Sequence, residues 1–369
     1  MKVGELSFED FLNSKDLWED ALRRSLDNHI FQTWEWLSTW WRHYGDKRRS
    51  FLIVVMEGKK ILAAAPLMYT TYNLLGLRIR KMECLTDPAS DYHTFLLTQK
   101  RPECVRLIID YIEKMAKDWD LIELSEIPQN SETARLLALL GPKFNFKWRV
   151  QNRCPYATLP TKFEDYFQRL GFNLRRNLHK YERKAKKDYK VDFGICSNKE
   201  GIKRDMETFF ILHQKRWQSK SQAGAFSDQK FRDFHLDIAE CFAERGWLAL
   251  NFIMLNETPA TAGYAFVYGK KLYSYLSGFD PQFSKYRIGS LRLMYLIKHC
   301  IINGLTEYDF MRGDEPYKEQ WKTSIRNNFE FWVTRRRIVP AFYNIITKND
   351  RISTLACMLG KRISLRQKR

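Results

Sequence analysis

Apolar and polar positions in the first third of the chain alternate in short runs. Residues 51–56 and 61–68 read as two strands joined by the turn Glu57-Gly58-Lys59-Lys60, the pattern of a β-hairpin. A third strand is expected over residues 80–85, a helix over 104–117 and a strand over 121–125. Ser131 then stands at an N-cap position and opens a short helix reaching Leu140. After residue 163 the same order returns. Residues 247–255 and 261–268 form the equivalent hairpin across Asn256-Glu257-Thr258-Pro259. A strand over 272–279, an apolar helix over 290–302 and a strand over 307–311 follow. This repeats a pattern, not residues, and a period near half the chain predicts two tandem domains rather than a solenoid. The expected class is α/β (α+β), each domain a mixed, mostly antiparallel sheet flanked by helices. The expected division is 1–155, 156–337 and a basic tail over 338–369, with the boundary between Phe144 and Phe163, around Cys154-Pro155 and Leu159-Pro160.

The second half concentrates the candidate chemistry. Two neighbouring strands joined by a right-handed helical crossover leave a crevice at their carboxyl ends, where α/β proteins bind ligands. Here the crevice is edged by Arg287-Ile288-Gly289-Ser290, where the crossover helix begins, and by the polar run Arg312-Gly-Asp-Glu-Pro-Tyr-Lys318. Free N–H groups and the helix dipole at such a start favour a phosphate-bearing ligand. The first half has no glycine before its own crossover helix, which is preceded by Gln99-Lys-Arg-Pro-Glu103. A phosphate-binding site is therefore expected in the second half rather than the first.

Composition fits an enzyme with ample cores: the chain is 44% hydrophobic and 15% aromatic. No run of about 18 apolar residues predicts a membrane span, and the first residues lack the apolar stretch of a signal peptide. Seven scattered cysteines with no CxxC pair argue against a disulfide framework, and with seven histidines they offer no metal site. These features predict a cytoplasmic protein.

Charge adds a second theme. The chain carries 62 basic and 43 acidic residues, a net charge of +19. Residues 169–190 hold nine basic and two acidic ones, with Leu174, Leu178, Tyr181 and Ala185 on a helical stripe and Arg176, Lys180, Arg183 and Lys187 on another face. Residues 351–369 hold six basic and no acidic ones, interleaved with Leu355, Met358, Leu359 and Ile363. A basic amphipathic helix is a footprint for phosphates: tRNA, a lipid-linked phosphate, a coenzyme or the inner face of an anionic membrane. A solvated basic surface is the plainer meaning. A non-enzymatic nucleic-acid-binding protein is a rival reading, although no zinc pattern or RNP-like strand supports it. The cluster Trp34, Trp36, Trp40 and Trp41 has helical spacing and is expected to pack into a core rather than to stack a substrate.

Tyr308-Asp-Phe-x-Arg-Gly-Asp-x-x-Tyr-Lys-x-x-Trp321 resembles the CelD-type and FemAB-like branch of the GNAT acyltransferase superfamily. So do Phe31-Gln-Thr-Trp-Glu-Trp36, Ser90-Asp-Tyr92 and Asn173-Leu-Arg-Arg-Asn177. The resemblance spans roughly residues 30 to 335 and implies two tandem GNAT-like domains using acetyl-CoA or another acyl-CoA. FemAB-like proteins use aminoacyl-tRNA instead, and the loop here departs from the usual Gln/Arg-x-x-Gly-x-Gly/Ala, with Ser284 and Arg287 at its first and fourth positions. The CelD-type likeness implies a sugar or polysaccharide precursor as acceptor. By the same resemblance Tyr317 would protonate the leaving thiolate, unless it only covers the sheet end. Lys318 would offset charge on the tetrahedral intermediate, unless it is a surface lysine. Asp309 would accept the amine proton, orient Arg312 or form an edge salt bridge. Ile288, Gly289, Ser290 and Arg287 would hold the donor. Arg312 and Asp314, which can also pair with each other, would contact the acceptor together with Asp91, Tyr92 and Glu35. Asp280, before Pro281, reads as a turn residue.

Overall fold

The computed structural model describes residues 1–74, 77–98, 102–115, 117–138, 145–196 and 199–334. Strand β1 (Lys2–Leu6) leads into α1 (Phe8–Asn13), α2 (Lys15–Arg23) and α3 (Trp34–Tyr44). The start of α3 is set by the Thr33 hydroxyl, which accepts from the Trp36 N–H. β2 (Arg49–Glu57) and β3 (Lys60–Leu74) form the expected hairpin, which turns on Gly58 at a left-handed φ of 58°. β4 (Leu77–Cys84), the short β5 (Leu96–Leu97), α4 (Pro102–Lys114), β6 (Leu121–Pro128) and α5 (Glu132–Leu137) follow, with Ser131 capping α5 as anticipated.

The long β7 (Asn145–Thr158) carries the chain into its second half. There stand α6 (Phe163–Arg169), α7 (Phe172–Asp188), β8 (Val191–Cys196), α8 (Ile202–Gln218) and α9 (Gln229–Glu244). β9 (Leu250–Leu255), β10 (Thr258–Tyr268), β11 (Lys271–Phe279) and α10 (Ile288–Ile302) come next. β12 (Glu307–Asp309), α11 (Pro316–Glu319) and β13 (Ser324–Thr334) end the described chain.

All strands join one sheet, in the order β1-β2-β3-β4-β6-β13-β7-β12-β11-β10-β9-β8, with β5 on the side of β3. The repeat is plain in this order. Each half lays down four antiparallel strands, crosses over through a helix and returns a fifth strand parallel to the fourth: β6 beside β4, and β12 beside β11. The last strand of each half is then exchanged. β7 pairs with β12 of the second half, β13 pairs with β6 of the first, and the two pair with each other from Ser324↔Tyr156 to Thr334↔Asn145. A division after residue 155 therefore cuts through β7, whose pairing continues to Thr158. Each half leaves an open sheet edge that only the other half's strand fills.

Three buried clusters fill the layers. One lies between α4 and the first-half strands, and another between the second-half strands and α10 with α7. The third joins α3 of the first half to α8, α9 and β10 of the second. Trp36 and Trp40 are buried in it; the Trp36 ring meets Phe234 and Phe242, and its N–H donates to Ser90 Oγ at 2.8 Å. The tryptophan cluster thus packs into this core and joins the halves, with Trp40 also bordering a cavity between them. Among the described residues no group of side chains could hold a metal ion, and no helix is long and apolar enough to cross a membrane. Six cysteines there are unpaired. The basic segment over 351–369 lies outside the described residues.

Candidate active site

β11 and β12 pair in parallel only from Lys271↔Glu307 to Tyr273↔Asp309. β11 runs on to Phe279 while β12 stops, so the two strands part. The gap opens a cavity of about 770 Å³ lined by Tyr275 and Ser277 of β11, Tyr308 and Phe310 around the end of β12, and the first turn of α10. Arg287, the residue before α10, takes a left-handed φ of 48°. It sits where the loop pattern has a glycine, and it adopts the conformation that glycine would favour. Its carbonyl accepts from the Ser290 N–H at 2.9 Å, and Ile288, Gly289 and Ser290 all border the cavity. A Cβ built on Gly289 meets nothing within 4 Å. Neither packing nor backbone angle demands glycine there, so the open side is room for a ligand.

The opposite wall is the turn after β12. Met311 (φ 61°) and Gly313 (φ 107°) are both left-handed, and this bends three carbonyls toward one point. Lys318 Nζ fills that point: it donates to the carbonyls of Met311 at 3.4 Å, Arg312 at 3.0 Å and Gly313 at 3.0 Å, and pairs with Glu315 at 2.8 Å. With 3% of its surface exposed, Lys318 is not a surface lysine. Nor is its charge free for an intermediate; it holds the turn. Its neighbour Tyr317 is 45% exposed and borders the cavity. Burial, then the Glu315 carboxylate, pushes the Tyr317 phenol above its usual range and keeps its proton available to donate.

Residues 173–319, from the start of α7 to the end of α11, match the family model described as an acetyltransferase (GNAT) domain. This stretch is a GNAT-type acyltransferase domain. The crystal structure of FemX has the same fold over 94% of this chain and 100% of its own, at 12% identity and a TM-score of 0.66. The C-terminal domain of a protein described as a lysylphosphatidylglycerol synthetase, from Agrobacterium fabrum, covers 88% of this chain and 93% of its own at 9% identity and a TM-score of 0.54. L-PGS from Bacillus licheniformis covers 90% and 95% at 10% identity and a TM-score of 0.55. No curated protein matches the chain. The likenesses show a fold shared with FemX and with these two proteins.

In this GNAT frame several anticipated site residues prove to be clasps between the halves. Asp309 alternates with Tyr308 and Phe310 as expected, so those two border the cavity while the fully buried Asp309 faces the other way. Its carboxylate accepts from the Tyr92 hydroxyl at 2.8 Å, the Met311 N–H at 2.8 Å and the Arg326 guanidinium at 3.0 Å. Burial raises its pKa to about 6 against the pull of Arg326. Every lone pair facing those donors is engaged, so it does not meet an acceptor amine, and it binds Arg326 rather than orienting Arg312. Tyr92 is likewise spent on Asp309. Arg312 does not pair with Asp314, which is exposed; it pairs with Asp91 at 3.0 Å and Glu126 at 3.2 Å in the first half. Asp91 and Arg312 do border the cavity. Glu35 does not: it is buried against Lys15 at 2.9 Å and Arg245 at 3.5 Å, tying α3 to α2 and to the end of α9. Asp280 is the turn residue expected, accepting from the Gln282 N–H and pairing with Lys215.

The structure adds lining residues that the sequence reading passed over, among them His213 and Arg216 of α8, Arg292 of α10 and Glu315. The Arg216 guanidinium donates to the carbonyl and hydroxyl of Ser277, at 3.1 and 2.9 Å. Burial lowers the His213 pKa to about 4, and its Nε2 accepts from the Trp217 indole, so it is a neutral wall rather than a base. A signal for α8 existed: Ile202, Met206, Phe209, Phe210 and His213 follow helical spacing. Arg292 is a lone cation in the first turns of an otherwise apolar helix, and that pattern also was readable.

Proposed function

We propose that the chain transfers an acyl group from an acyl-CoA, held in the second-half cavity, to an amine or hydroxyl entering from the first-half side. The observation that carries this is the cavity between the diverging strands β11 and β12, opening on the start of α10 with unfilled space at Gly289. The donor's pyrophosphate would meet the first amides of α10 and the Arg287 side chain, where helix dipole and positive charge add. Its acyl chain would run between the strands toward Tyr317, which would donate a proton to the departing thiolate. Glu315, held ionised by Lys318, would draw an acceptor ammonium toward the same point. Once that ammonium has lost one proton to water, its nitrogen would attack the thioester carbon, the C–S bond would break as Tyr317 protonates the sulfur, and the phenolate would take the nitrogen's surplus proton. Lys318, Asp309, Arg312 and Asp91 would act by shaping the wall. The CelD-type resemblance points to a sugar or polysaccharide precursor as acceptor.

A second reading has its own observation. α7 packs against α10 and the segment before it, and Arg176, Lys180, Arg183, Lys184, Lys186 and Lys187 of α7 are exposed. A helix of 17 residues is about 25 Å long, more than a coenzyme's phosphates span. Aminoacyl transfer from a charged tRNA would use that length, in keeping with the fold shared with lysylphosphatidylglycerol synthetase domains. Calorimetric titration with coenzyme A and acetyl-CoA at two salt concentrations separates the two. Micromolar binding that Gly289→Trp abolishes supports the acyl-CoA donor. No binding to either thiol compound, with charged tRNA bound and that binding weakened by neutralising α7, turns the assignment to aminoacyl transfer.

A further inference from the structure

Arg292 is the one buried arginine among those described at the cavity wall; Arg48, Arg216, Arg287 and Arg312, which border it too, are more exposed. Arg292 projects from the second turn of α10 toward the sheet and is 6% exposed, yet it borders the cavity. Its Nη1 donates to Asn251 Oδ1 at 2.8 Å, and its buried Nε has no partner. Among the described residues no carboxylate lies within ion-pair distance of it. That is unusual, because a desolvated guanidinium without a counter-charge is costly to keep. Of the other cations at the wall, Arg312 has Asp91 and Glu126 and the buried Lys318 has Glu315, while Arg48, Arg216 and Arg287 keep more contact with water.

The seat is nevertheless built. Asn251 is fully buried, and its amide donates to the carbonyls of Ala249 and Gly263, which turns its oxygen toward Arg292. Gly263, in the middle of β10, leaves the space that the guanidinium fills; a Cβ there would come within 1.9 Å of Nη1. The titratable groups whose fields reach Arg292 are Tyr308, Tyr317 and Arg216, two phenols and a second cation. The site thus lies within reach of Tyr317, and its field favours an anion.

We propose that Arg292 binds a carboxylate carried by one of the substrates, a second anion subsite apart from the phosphate seat at the start of α10. This rests on the cavity being the acyl-transfer site and adds the substrate class: the acyl group or the acceptor bears a free carboxylate. A planar anion suits a single guanidinium, which can hold it through paired N–H groups. The carboxylate completes the missing ion pair, so binding recovers part of what burial of the arginine cost the empty protein.

The test uses the full chain and the variants Arg292→Met and Arg292→Lys, at constant ionic strength. In the donor arm, coenzyme A, acetyl-CoA and succinyl-CoA are titrated by calorimetry. In the acceptor arm, succinate, glycine and inorganic phosphate are titrated into free protein and into its coenzyme A complex. A carboxylate on the acyl group gives succinyl-CoA at least tenfold tighter binding than acetyl-CoA, lost in Arg292→Met, with coenzyme A affinity unchanged. A carboxylate on the acceptor gives succinate or glycine binding that Arg292→Met abolishes and Arg292→Lys partly keeps. Coenzyme A binding with no Arg292-dependent carboxylate effect in either arm overturns the subsite and leaves the donor reading standing. Failure to bind coenzyme A overturns the donor reading, while succinate binding to the free protein still decides Arg292. Phosphate bound as well as succinate, with the same Arg292 dependence, overturns the carboxylate assignment. If Arg292→Met unfolds, Arg292→Lys decides: weakened carboxylate binding in the folded variant supports the subsite, and unchanged binding overturns it.

Discussion

Replacing Lys318 with methionine separates a structural cation from a catalytic one. The methionine keeps the apolar stem and deletes an ammonium that has contacts at 2.8, 3.0, 3.0 and 3.4 Å. The longest is weak, which leaves three charge-assisted bonds. Each such bond contributes on the order of 1.5–3 kcal/mol. They are not additive, and water can reach the half-buried carbonyls of Arg312 and Gly313. The expected loss is therefore about 3 kcal/mol, at the low end for a buried charge whose partners are left behind. With an unfolding entropy of roughly 2.1 cal/mol/K per residue, cooperative unfolding of 369 residues turns this into a fall in Tm of about 4 °C. Two residues of the freed turn, Met311 and Gly313, are left-handed and rely on the clamp. Arg312 and Tyr317 should shift with it, so kcat and KM should both worsen. Calorimetric unfolding and steady-state kinetics on the same preparation check this. An unchanged Tm with a kcat collapse at constant KM would refute the clamp and restore Lys318 to the chemistry.

Other outcomes follow from the same geometry. Gly289→Ala should leave stability unchanged or raise it by up to about 1 kcal/mol, since its Cβ enters open space, yet weaken donor binding; denaturant melts and coenzyme A titration test the opposite signs. Tyr317→Phe should lower kcat about 100-fold at unchanged Tm, because the phenol is half exposed and its proposed work is proton donation, read by steady-state kinetics. Burial lowers His29 and His235 to about 3 and His213 to about 4, so the folded chain binds fewer protons than the unfolded one between these values and about 6.5. Their contribution to stability is present above about 6.5 and is lost as pH falls toward 4, by up to about 1.4 kcal/mol per pH unit for each. His235→Phe should flatten the slope of stability against pH by one such share, measured by urea melts from pH 7 to 4.5.

Much of the architecture was legible along the chain because its signals are local. The hairpin at Gly58, the Ser131 cap, the crossover helix and the short strand ending at Asp309 each rest on a turn residue or a periodicity within about ten positions. Gly289 and Tyr317, the residues proposed for the donor side, stood out for the same reason: a helix start and a strand end fall where the pattern breaks. The helices α8 and α9 carried a readable stripe that went unread, and the lone Arg292 in an apolar helix was a signal of the same kind.

Only the tertiary structure decided what the polar residues do. Asp309 and Tyr92 are 217 positions apart, and Arg312 and Asp91 are 221 apart; no local pattern states that these pairs meet. Their partners are set by the exchange of β7 and β13, which brings the strand ends of both halves to one seam. A charge in a sequence has no fixed role, because its effect depends on burial and on the charges beside it. Lys318, Asp309 and Glu35 became clasps, while Arg292 was left without a counter-charge at the cavity wall. The chain alone dictated where backbone turns and apolar faces fall, and the folded seam decided which charges remain free to meet a substrate.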